Sequence, residues 1–371
     1  MNDILKESYF SFFPILCSSL WGHSFQKALT SKQFLHVMAL AEEQTVFGLV
    51  FDVLKDVQID GLTDRSVIYT SVGRSEVIKQ QNLVLNKELV WFAGKIEEGG
   101  LDCLVVKGQT IAQLYQKPEL RQSGDIDFLL PTDLGYNLNL NRIFPDAGIT
   151  ERLSEKEFGF DHNNTRYELH IRLLDFGCKK HQKLWDTIEA SELSHGKYGK
   201  DNGYFVDVDG MKVRTLSPTT NAAYVFLHLY FHLMREGVSI RQFCDWTMVL
   251  HHYHDEIDRQ QLTDIITKLD MLNAYKAFGC IVVDELGLPE KEFPMELTDN
   301  DRQWKDKILY DIFRGGNFGK QNHKAKSAFG YKMETLRLAV RNSIRYYRLA
   351  PSEMRMMIPK MIKINLKLIT N

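Results

Sequence analysis

The apolar residues of this chain change their spacing abruptly at Gly99-Gly100, and that change limits the folds open to it. Before the two glycines, apolar residues recur every three to four positions, as on one face of a helix. After them, residues 101–108 form a compact apolar run ending in glycine, which is typical of a buried strand. We therefore expect helices up to about residue 98 and a sheet immediately after. The last of these helices is predicted over residues 75–98, and its apolar face consists of Leu85, Leu89, Phe92 and Ile96.

Residues 99–215 mix strand and helix patterns, which indicates a small sheet domain of the α/β or α+β class. Asp209-Gly210 stands between two β-type segments and predicts a tight hairpin turn. The other predicted strands are residues 101–108, 125–131, 158–164 and 165–175, and the predicted helices are residues 110–116 and 132–144.

Helical patterns resume after Ser217-Pro218, which is a favourable helix start. We thus predict an α+β architecture in which a small mixed sheet is flanked by two helical regions. Pro351 and Pro359 are expected to interrupt any long helix near the end of the chain. The predicted units are an N-terminal helical region (1–98), the sheet domain (99–215), a C-terminal helical domain (216–350) and a basic, Met-rich tail (351–371).

The composition is that of an ordinary globular protein, with 44% hydrophobic and 25% charged residues. No run of about 20 apolar residues occurs, so a transmembrane helix is not expected. The first residues carry Asp3 and Glu7 instead of the basic lead of a signal peptide. The five cysteines are odd in number and form no CxxC pair, so we expect a reducing cytoplasm and no disulfide framework or zinc site.

The net charge of −2 conceals a basic end, because residues 324–371 hold eleven Lys/Arg and two Glu. This segment is interpreted first as a solvated helix face that balances an acidic body. A membrane surface, nucleic acid or an acidic partner are the alternatives. For the tail, packing onto the helical domain is favoured over peripheral membrane contact or a second chain.

Two aspartates, Asp125 and Asp127, open the predicted strand DIDFLLP. Alternate side chains of a strand share a face, so the two carboxylates and Leu129 point the same way. Two ionised carboxylates so close repel each other, and burial increases the repulsion. A divalent cation between them resolves this, and carboxylate oxygens suit Mg²⁺ or Mn²⁺.

A third carboxylate is predicted on the strand TRYELHIRLL, whose polar face carries Glu168, His170 and Arg172. If this strand lies beside DIDFLLP, Glu168 joins the two aspartates. Three carboxylates can hold two metal ions about 3.5–4 Å apart, an arrangement that clamps a transferring phosphoryl group.

A phosphate site is predicted at the end of the first strand. Gly108 precedes a helix, and the backbone N–H groups at a helix N-terminus favour anions. Lys107 supplies a point charge and Arg121 a planar fork suited to phosphate. Ser123 and Gly124 allow a tight turn beside the substrate.

The chain resembles the nucleotidyltransferase superfamily, whose fold is that of DNA polymerase β, and more closely the bacterial family of uncharacterised nucleotidyltransferases. That family has Lys-Gly, an Arg shortly before Asp-Ile-Asp, and then Glu-Leu-His. The matching residues here are Lys107-Gly108, Arg121, Asp125-Ile126-Asp127 and Glu168-Leu169-His170. A helical stretch resembles the family as well, with His228, His232, Gly237, Arg241, Asp245 and Trp246. The resemblance is good over about residues 101–250.

The resemblance implies a Mg²⁺- or Mn²⁺-dependent transfer of a nucleoside monophosphate from a nucleoside triphosphate, with release of pyrophosphate. The acceptor is a small molecule, a sugar or a protein. Asp125 and Asp127 are expected to bind the metal with Glu168 as third ligand or general base, and His170 to orient substrate or assist proton transfer. The residues expected to hold the nucleotide are Lys107, Gly108, Arg121, Ser123, Gly124 and Arg241.

One departure from the superfamily leaves an alternative open, because Gln109 stands where a phosphate-binding serine is expected. The alternative is a non-catalytic module of the same fold that binds a nucleotide or a sugar phosphate. Nucleic-acid extension with the basic C-terminal segment is the least favoured hypothesis, because the rest of the chain is acidic.

Two residue pairs in the later helices have open roles. His228 and His232 are four residues apart and share a helix face, where structural or cleft-lining histidines are favoured over a zinc site. Arg241 and Asp245 have the same spacing. They form either an intrahelical ion pair or a unit in which Asp245 orients Arg241 toward the acidic cleft.

Overall fold

A computed structural model of the protein describes residues 8–131, 151–152, 157–194, 203–315 and 328–367. Helices come first, a five-stranded mixed sheet and a hairpin follow, and helices return. The predicted α+β architecture with helical flanks is therefore confirmed. The helix predicted at residues 132–144 lies outside the described residues. Among the described helices, none is both long and apolar enough to span a membrane.

The N-terminal region is helical and contains one short pair of parallel strands. Thr30 begins its second helix with a capping box, in which the Thr30 hydroxyl accepts from Gln33 N and the Gln33 side chain accepts from Thr30 N. The elements are a π-helical turn at Ser8–Phe12, helices α1 (Phe13–Trp21), α2 (Ser31–Glu43) and α3 (Phe47–Leu54), and strands β1 (Leu29–Thr30) and β2 (Ile59–Asp60).

A single long helix, α4 (Ser66–Glu98), leads into the sheet. It ends at Gly99, as the sequence predicts, and Gly100 follows with a positive φ of 69°. Its start lies earlier than the apolar spacing predicts. The predicted face is confirmed as buried at Leu85, Leu89, Phe92 and Ile96.

The central sheet is mixed and has the strand order β3-β4-β7-β6-β5. The predicted helix at 110–116 is shorter than expected, and Pro118 begins a separate 3₁₀ turn because it lacks the N–H that would continue a helix. The elements are β3 (Leu104–Val106), α5 (Gly108–Ala112), the 3₁₀ turn Pro118–Leu120, β4 (Ile126–Leu129), β5 (Glu151–Arg152), β6 (Glu157–His162), β7 (Thr165–His170) and α6 (Lys179–Ser194).

Strand β4 pairs in parallel with β7, and this register places Asp127 directly beside Glu168. Phe128, on the opposite face, packs against Phe92 of α4, with ring centroids 4.3 Å apart. The predicted alternation is thus confirmed, because one face of the sheet is covered by an aromatic layer while the other carries the carboxylates.

The predicted hairpin follows as β8 (Tyr204–Val208) and β9 (Met211–Thr215), which pair antiparallel. Asp209 and Gly210 form its turn with φ values of 50° and 82°. Two consecutive positive φ angles match the right-handed twist of the flanking strands, which is why Asp-Gly is favoured there.

The C-terminal region is helical and begins where the sequence predicts. Ser217 caps the first helix by accepting a hydrogen bond from Thr220 N, and Pro218 occupies the first turn. The helices are α7 (Pro218–Arg235), α8 (Ile240–His252), α9 (Arg259–Lys268), α10 (Leu272–Asp284), α11 (Asp299–Arg302), α12 (Lys305–Gly315), α13 (Ala328–Arg345) and α14 (Pro351–Lys367), with 3₁₀ turns at Glu290–Glu292 and Tyr347–Leu349.

Helix α14 departs from the sequence prediction, because it continues through Pro359 instead of stopping there. Pro351 starts the helix, where a missing N–H is harmless. Met354 and Met357 are buried in the core, which confirms that this segment packs onto the rest of the chain. Glu353, 1% exposed, anchors it by accepting hydrogen bonds from Gly177 N and Cys178 N at the start of α6.

We expect Glu353→Ala to lower the free energy of unfolding by about 3 kcal/mol, because it leaves buried N–H donors and His181 without their acceptor. Urea denaturation followed by circular dichroism measures this. Glu76→Ala, which removes an exposed carboxylate near Lys79, is the control and should change the value by less than about 0.5 kcal/mol. Equal effects of the two substitutions would contradict the anchoring role.

Candidate active site

A cavity of about 450 Å³ opens between the carboxylate face of the sheet, the loop before β4, and helices α7 and α8. Its wall brings together most of the residues that the sequence singled out, although they lie on separate elements. The predicted site residues that line it are Lys107, Gly108, Arg121, Gly124, Asp125, Asp127, Glu168, His170 and Arg241.

Three predicted residues form a compact cluster in this wall. One potential ligand atom from each of Asp127, Glu168 and His170 lies within 4.8 Å of the others. The cause is the strand geometry, since the β4–β7 register aligns Asp127 with Glu168, and alternation brings His170 to the same face. Asp125 lines the same cavity but is outside this compact set.

The cluster fits a divalent cation by its chemistry. Two carboxylates and an imidazole combine oxygen ligands, which suit Mg²⁺ and Mn²⁺, with a nitrogen ligand that first-row transition metals accept. His170 Nε2 lies 2.8 Å from Asp127 Oδ1. An ionised carboxylate only accepts hydrogen bonds, so this nitrogen carries the proton. A cation bound to His170 Nε2 would therefore replace that hydrogen bond.

The buried carboxylate of Asp127 is neutralised by a lysine. Lys107 Nζ lies 3.1 Å from Asp127 Oδ1 and 3.0 Å from His228 Nε2 on α7. Burial by itself raises the pKa of Asp127, but the ammonium of Lys107 and the hydrogen bond from His170 outweigh it and hold that pKa below its usual range. Asp127 is therefore an anion although it is only 2% exposed.

Arg121 is fixed in the cavity wall by a bidentate ion pair with Asp245 of α8. The Nε–Oδ1 and Nη2–Oδ2 distances are 2.6 and 2.8 Å, and Tyr115 OH donates to Asp245 Oδ1 at 2.7 Å. Arg121 Nη1 donates to Ser123 Oγ at 2.7 Å. Each nitrogen of Arg121 thus already donates a hydrogen bond within the protein. Ser123 orders this arginine, and its contact with a nucleotide stays a prediction.

Arg241 of α8 lines the cavity, but its hydrogen-bond partners are not the predicted one. Its Nε donates to Thr45 Oγ1 at 3.2 Å and its Nη1 to the Gln122 carbonyl at 3.0 Å. The interpretation that Asp245 orients Arg241 is wrong, because both carboxylate oxygens of Asp245 bind Arg121. Arg241 is half-buried and lines the cavity.

Two residues turn away from the cavity. Gln109 is buried and donates to Asn86 Oδ1 of α4 at 2.5 Å, so it makes no serine-like contact with the cavity. Arg172, predicted to extend the polar face of β7, follows the end of that strand and binds Asp186 of α6, with Nε–Oδ1 at 2.9 Å. The prediction that Arg172 shares a polar face with Glu168 and His170 is therefore wrong, because Arg172 is not among the residues that line the cavity.

Helix α7 lines one side of the cavity with two histidines considered in the sequence analysis and with further residues that were not. His228 and His232 line the wall, as the cleft-lining interpretation proposed, and their Nε2 atoms are 3.1 Å apart. Arg235 and Glu236 lie seven and eight positions after His228, which puts them on the same helix face. That spacing is the signal that could have found them. Tyr224, one turn earlier, completes the face.

A buried acid supports the wall from behind. Glu189 Oε1 of α6 accepts a hydrogen bond from Leu173 N at 2.9 Å, and Leu173 lines the cavity. Burial raises the pKa of the Glu189 carboxyl from 4.5 to about 8. The folded protein therefore holds a proton that the unfolded chain has lost between these pH values.

We expect the free energy of unfolding to decrease with pH across this window, by about 1.4 kcal/mol per unit from this group alone. Its contribution is complete below pH 4.5 and lost by about pH 8. Glu189→Gln, which stays neutral, should remove this part of the slope in urea titrations at several pH values. Glu98→Gln, at a side chain 70% exposed, is the control and should keep it. An unchanged slope in Glu189→Gln would refute this.

Comparisons with known proteins agree with the residue pattern. Residues 30–284 match the family described as uncharacterised nucleotidyltransferase. A crystal structure of an antigenic nucleotidyltransferase-like protein from Paracoccidioides brasiliensis is similar over 59% of this chain and 96% of its own length, at 13% identity and a TM-score of 0.34. A likeness so distant carries no argument about activity. No curated protein matches the chain.

The family match covers more than half of the chain and includes every residue that lines the cavity. The resemblance expected from the Lys-Gly, Asp-Ile-Asp and Glu-Leu-His segments is thereby confirmed. The chain belongs to the uncharacterised nucleotidyltransferase family.

Proposed function

We propose that the protein is a metal-dependent nucleotidyltransferase that transfers a nucleoside monophosphate from a nucleoside triphosphate to an acceptor and releases pyrophosphate. The observation that carries this proposal is the compact cluster of Asp127, Glu168 and His170 in the wall of a cavity that also holds four cationic side chains. Three of these, Lys107, Arg121 and Arg241, are residues that the sequence predicts for phosphate binding.

The charge of the cavity supports a requirement for a cation. With neutral histidines, its wall has four cationic side chains against six carboxylates, so a bare triphosphate would meet net negative charge. A divalent cation would cancel this excess of two negative charges. The cationic residues are Lys107, Arg121, Arg235 and Arg241, and the acidic ones are Asp125, Asp127, Glu168, Asp175, Glu236 and Asp245.

Asp127, Glu168 and His170 would hold Mn²⁺ or Mg²⁺, with Asp125 close enough in sequence and in the cavity wall to take part. The cation would withdraw negative charge from the phosphoryl oxygens when it is bound. The carboxylates fix its place on two neighbouring strands of a rigid sheet, which limits reorganisation during the reaction.

The protein's own groups would then bind and orient the reactants. Arg241 and Lys107 would bind phosphate oxygens, with Arg121 adding positive charge nearby and the backbone at Gly108 approaching closely. The acceptor hydroxyl would attack the α-phosphorus while the bond to the bridging oxygen breaks and pyrophosphate leaves. Glu168, more exposed than Asp127, would accept the hydroxyl proton.

A second candidate function is favoured by two contacts. Gln109 faces α4 instead of the cavity, and Lys107 binds Asp127 instead of standing free for phosphate. Both fit a module that binds a nucleotide or a sugar phosphate without transferring it. This module would keep the cavity and its charges and lack only the reaction.

Asp127→Ala should abolish Mn²⁺-dependent binding of nucleotides, because it removes the most buried carboxylate of the cluster. Calorimetry with each of the four ribonucleoside triphosphates in Mn²⁺ measures this. Asp161→Ala is the matched control, since that side chain on β6 is 65% exposed and pairs with Arg166 on β7. Binding that survives in Asp127→Ala would refute the proposed site.

Transfer of label separates the two candidate functions. The protein would be incubated with α-³²P-labelled nucleotides, Mg²⁺ and a cell lysate, and the products separated by electrophoresis and chromatography. Label that moves to an acceptor with the wild type but not with Asp125→Asn would establish the transferase. Nucleotide binding without transfer would favour the module.

A further inference from the structure

We propose that Lys107 is a built-in counter-cation that occupies Asp127 in the absence of ligand and moves to a phosphate oxygen when a divalent cation takes its place. The proposal rests on the proposed function, because it assumes that the cluster of Asp127, Glu168 and His170 receives a divalent cation. It assigns Lys107 a role beyond phosphate binding, which is to make cation binding depend on the phosphate.

The first support is the position of the ammonium. Lys107 Nζ contacts Asp127 Oδ1 at 3.1 Å, and the two side chains are 18% and 2% exposed. Asp127 Oδ1 also accepts from His170 at 2.8 Å. This oxygen is therefore filled by two donors, and a divalent cation cannot bind it while both remain. Of the two donors, the ammonium of Lys107 competes more strongly with a divalent cation for this oxygen, because it carries a full positive charge.

The second support is the backbone of Lys107. Its φ and ψ are 57° and −151°, a region that is essentially restricted to glycine. A side chain is strained there, yet the residue is lysine. Such strain persists where surrounding contacts hold it. The carbonyl of Lys107 accepts hydrogen bonds from Thr110 N and Thr110 Oγ1, and its ammonium contacts Asp127 and His228. The strained conformation at the end of β3 points the side chain at Asp127 instead of along the strand.

The third support is a second acceptor already within reach. Lys107 Nζ lies 3.0 Å from His228 Nε2, and since an ammonium only donates, this imidazole nitrogen accepts. His228 Nε2 lies 3.1 Å from His232 Nε2, and both histidines line the cavity. The ammonium can thus leave Asp127 while it remains hydrogen-bonded in the cavity.

A neutral imidazole does not replace the charge of Asp127, so the displaced ammonium needs a new anion. A phosphate group of the nucleotide supplies one. Cation and phosphate therefore bind with positive coupling, and each tightens the binding of the other, by a factor in the usual range of about 5–150 for such coupling. A cation alone binds more weakly because it must break the ion pair between Lys107 and Asp127.

The test compares wild type with Lys107→Met, which keeps an unbranched side chain of nearly the same length and removes the charge. Binding of Mn²⁺ alone is measured by electron paramagnetic resonance of the free ion. We expect Lys107→Met to bind Mn²⁺ about tenfold more tightly than the wild type. Lys95→Met, at a half-exposed lysine on α4 that pairs with Glu98, removes the same charge outside the cavity and should leave the affinity unchanged.

Lys107→Gly guards against a variant that does not fold, because it removes the ammonium and relieves the strained backbone as well. It should also bind Mn²⁺ more tightly than the wild type. An affinity for Mn²⁺ that is equal or lower in both variants would overturn the proposal.

The second measurement uses a preformed 1:1 complex of Mn²⁺ and inorganic tripolyphosphate, which needs no knowledge of the base. The wild type should bind this complex more tightly than Lys107→Met does, the reverse of the order for Mn²⁺ alone. The same order for both probes would overturn the proposal. If the wild type binds Mn²⁺ and Asp127→Ala does not, the proposed function stands even when the Lys107 variants refute the role of Lys107. If neither the wild type nor any variant binds Mn²⁺, the proposed function and the role of Lys107 are both refuted.

Discussion

The buried ion pair between Arg121 and Asp245 is the interaction on which the geometry of the cavity depends. It joins the loop before β4 to helix α8, and the backbone of that loop is held from the other side, where Asn82 Nδ2 of α4 donates to the carbonyls of Arg121 and Glu119. Removing one partner of such a pair leaves an uncompensated buried charge, at a cost of about 3–5 kcal/mol. The long helix, the sheet loop and the C-terminal helices are thereby fixed around one space.

Within that space, electrostatics decides the state of the carboxylates. Asp127 is almost fully buried, yet it stays ionised because Lys107 and His170 both face it. A buried carboxylate without a partner would take up a proton, so Asp127 remains an anion only with a cation beside it. The protein provides this cation from its own chain as the ammonium of Lys107, a residue whose backbone has a positive φ of 57°.

Local patterns predicted most of the fold, and they failed where tertiary contacts override propensity. Helix α4 begins at Ser66, earlier than the apolar spacing predicts, because Ser71 and Ser75 form its buried face there while Tyr69 and Val72 are exposed. The buried face of this part of the helix therefore lacks a regular apolar pattern. A helix once nucleated extends without such a pattern. The passage of α14 through Pro359 was missed for the opposite reason: Met354 and Met357 hold the helix by burial on the protein, whereas proline by itself predicts a break.

The sequence by itself determined which side chains share a face, because strand alternation and helix spacing are local rules. It therefore placed Asp125 and Asp127 together, aligned Glu168 with His170, and grouped His228 with His232. Only the tertiary structure decided the partners: Asp245 binds Arg121, 124 residues away, instead of its helix neighbour Arg241, and Arg172 binds Asp186 instead of facing the cavity. Ion pairs form between atoms that the fold brings together, and no spacing along the chain encodes that distance.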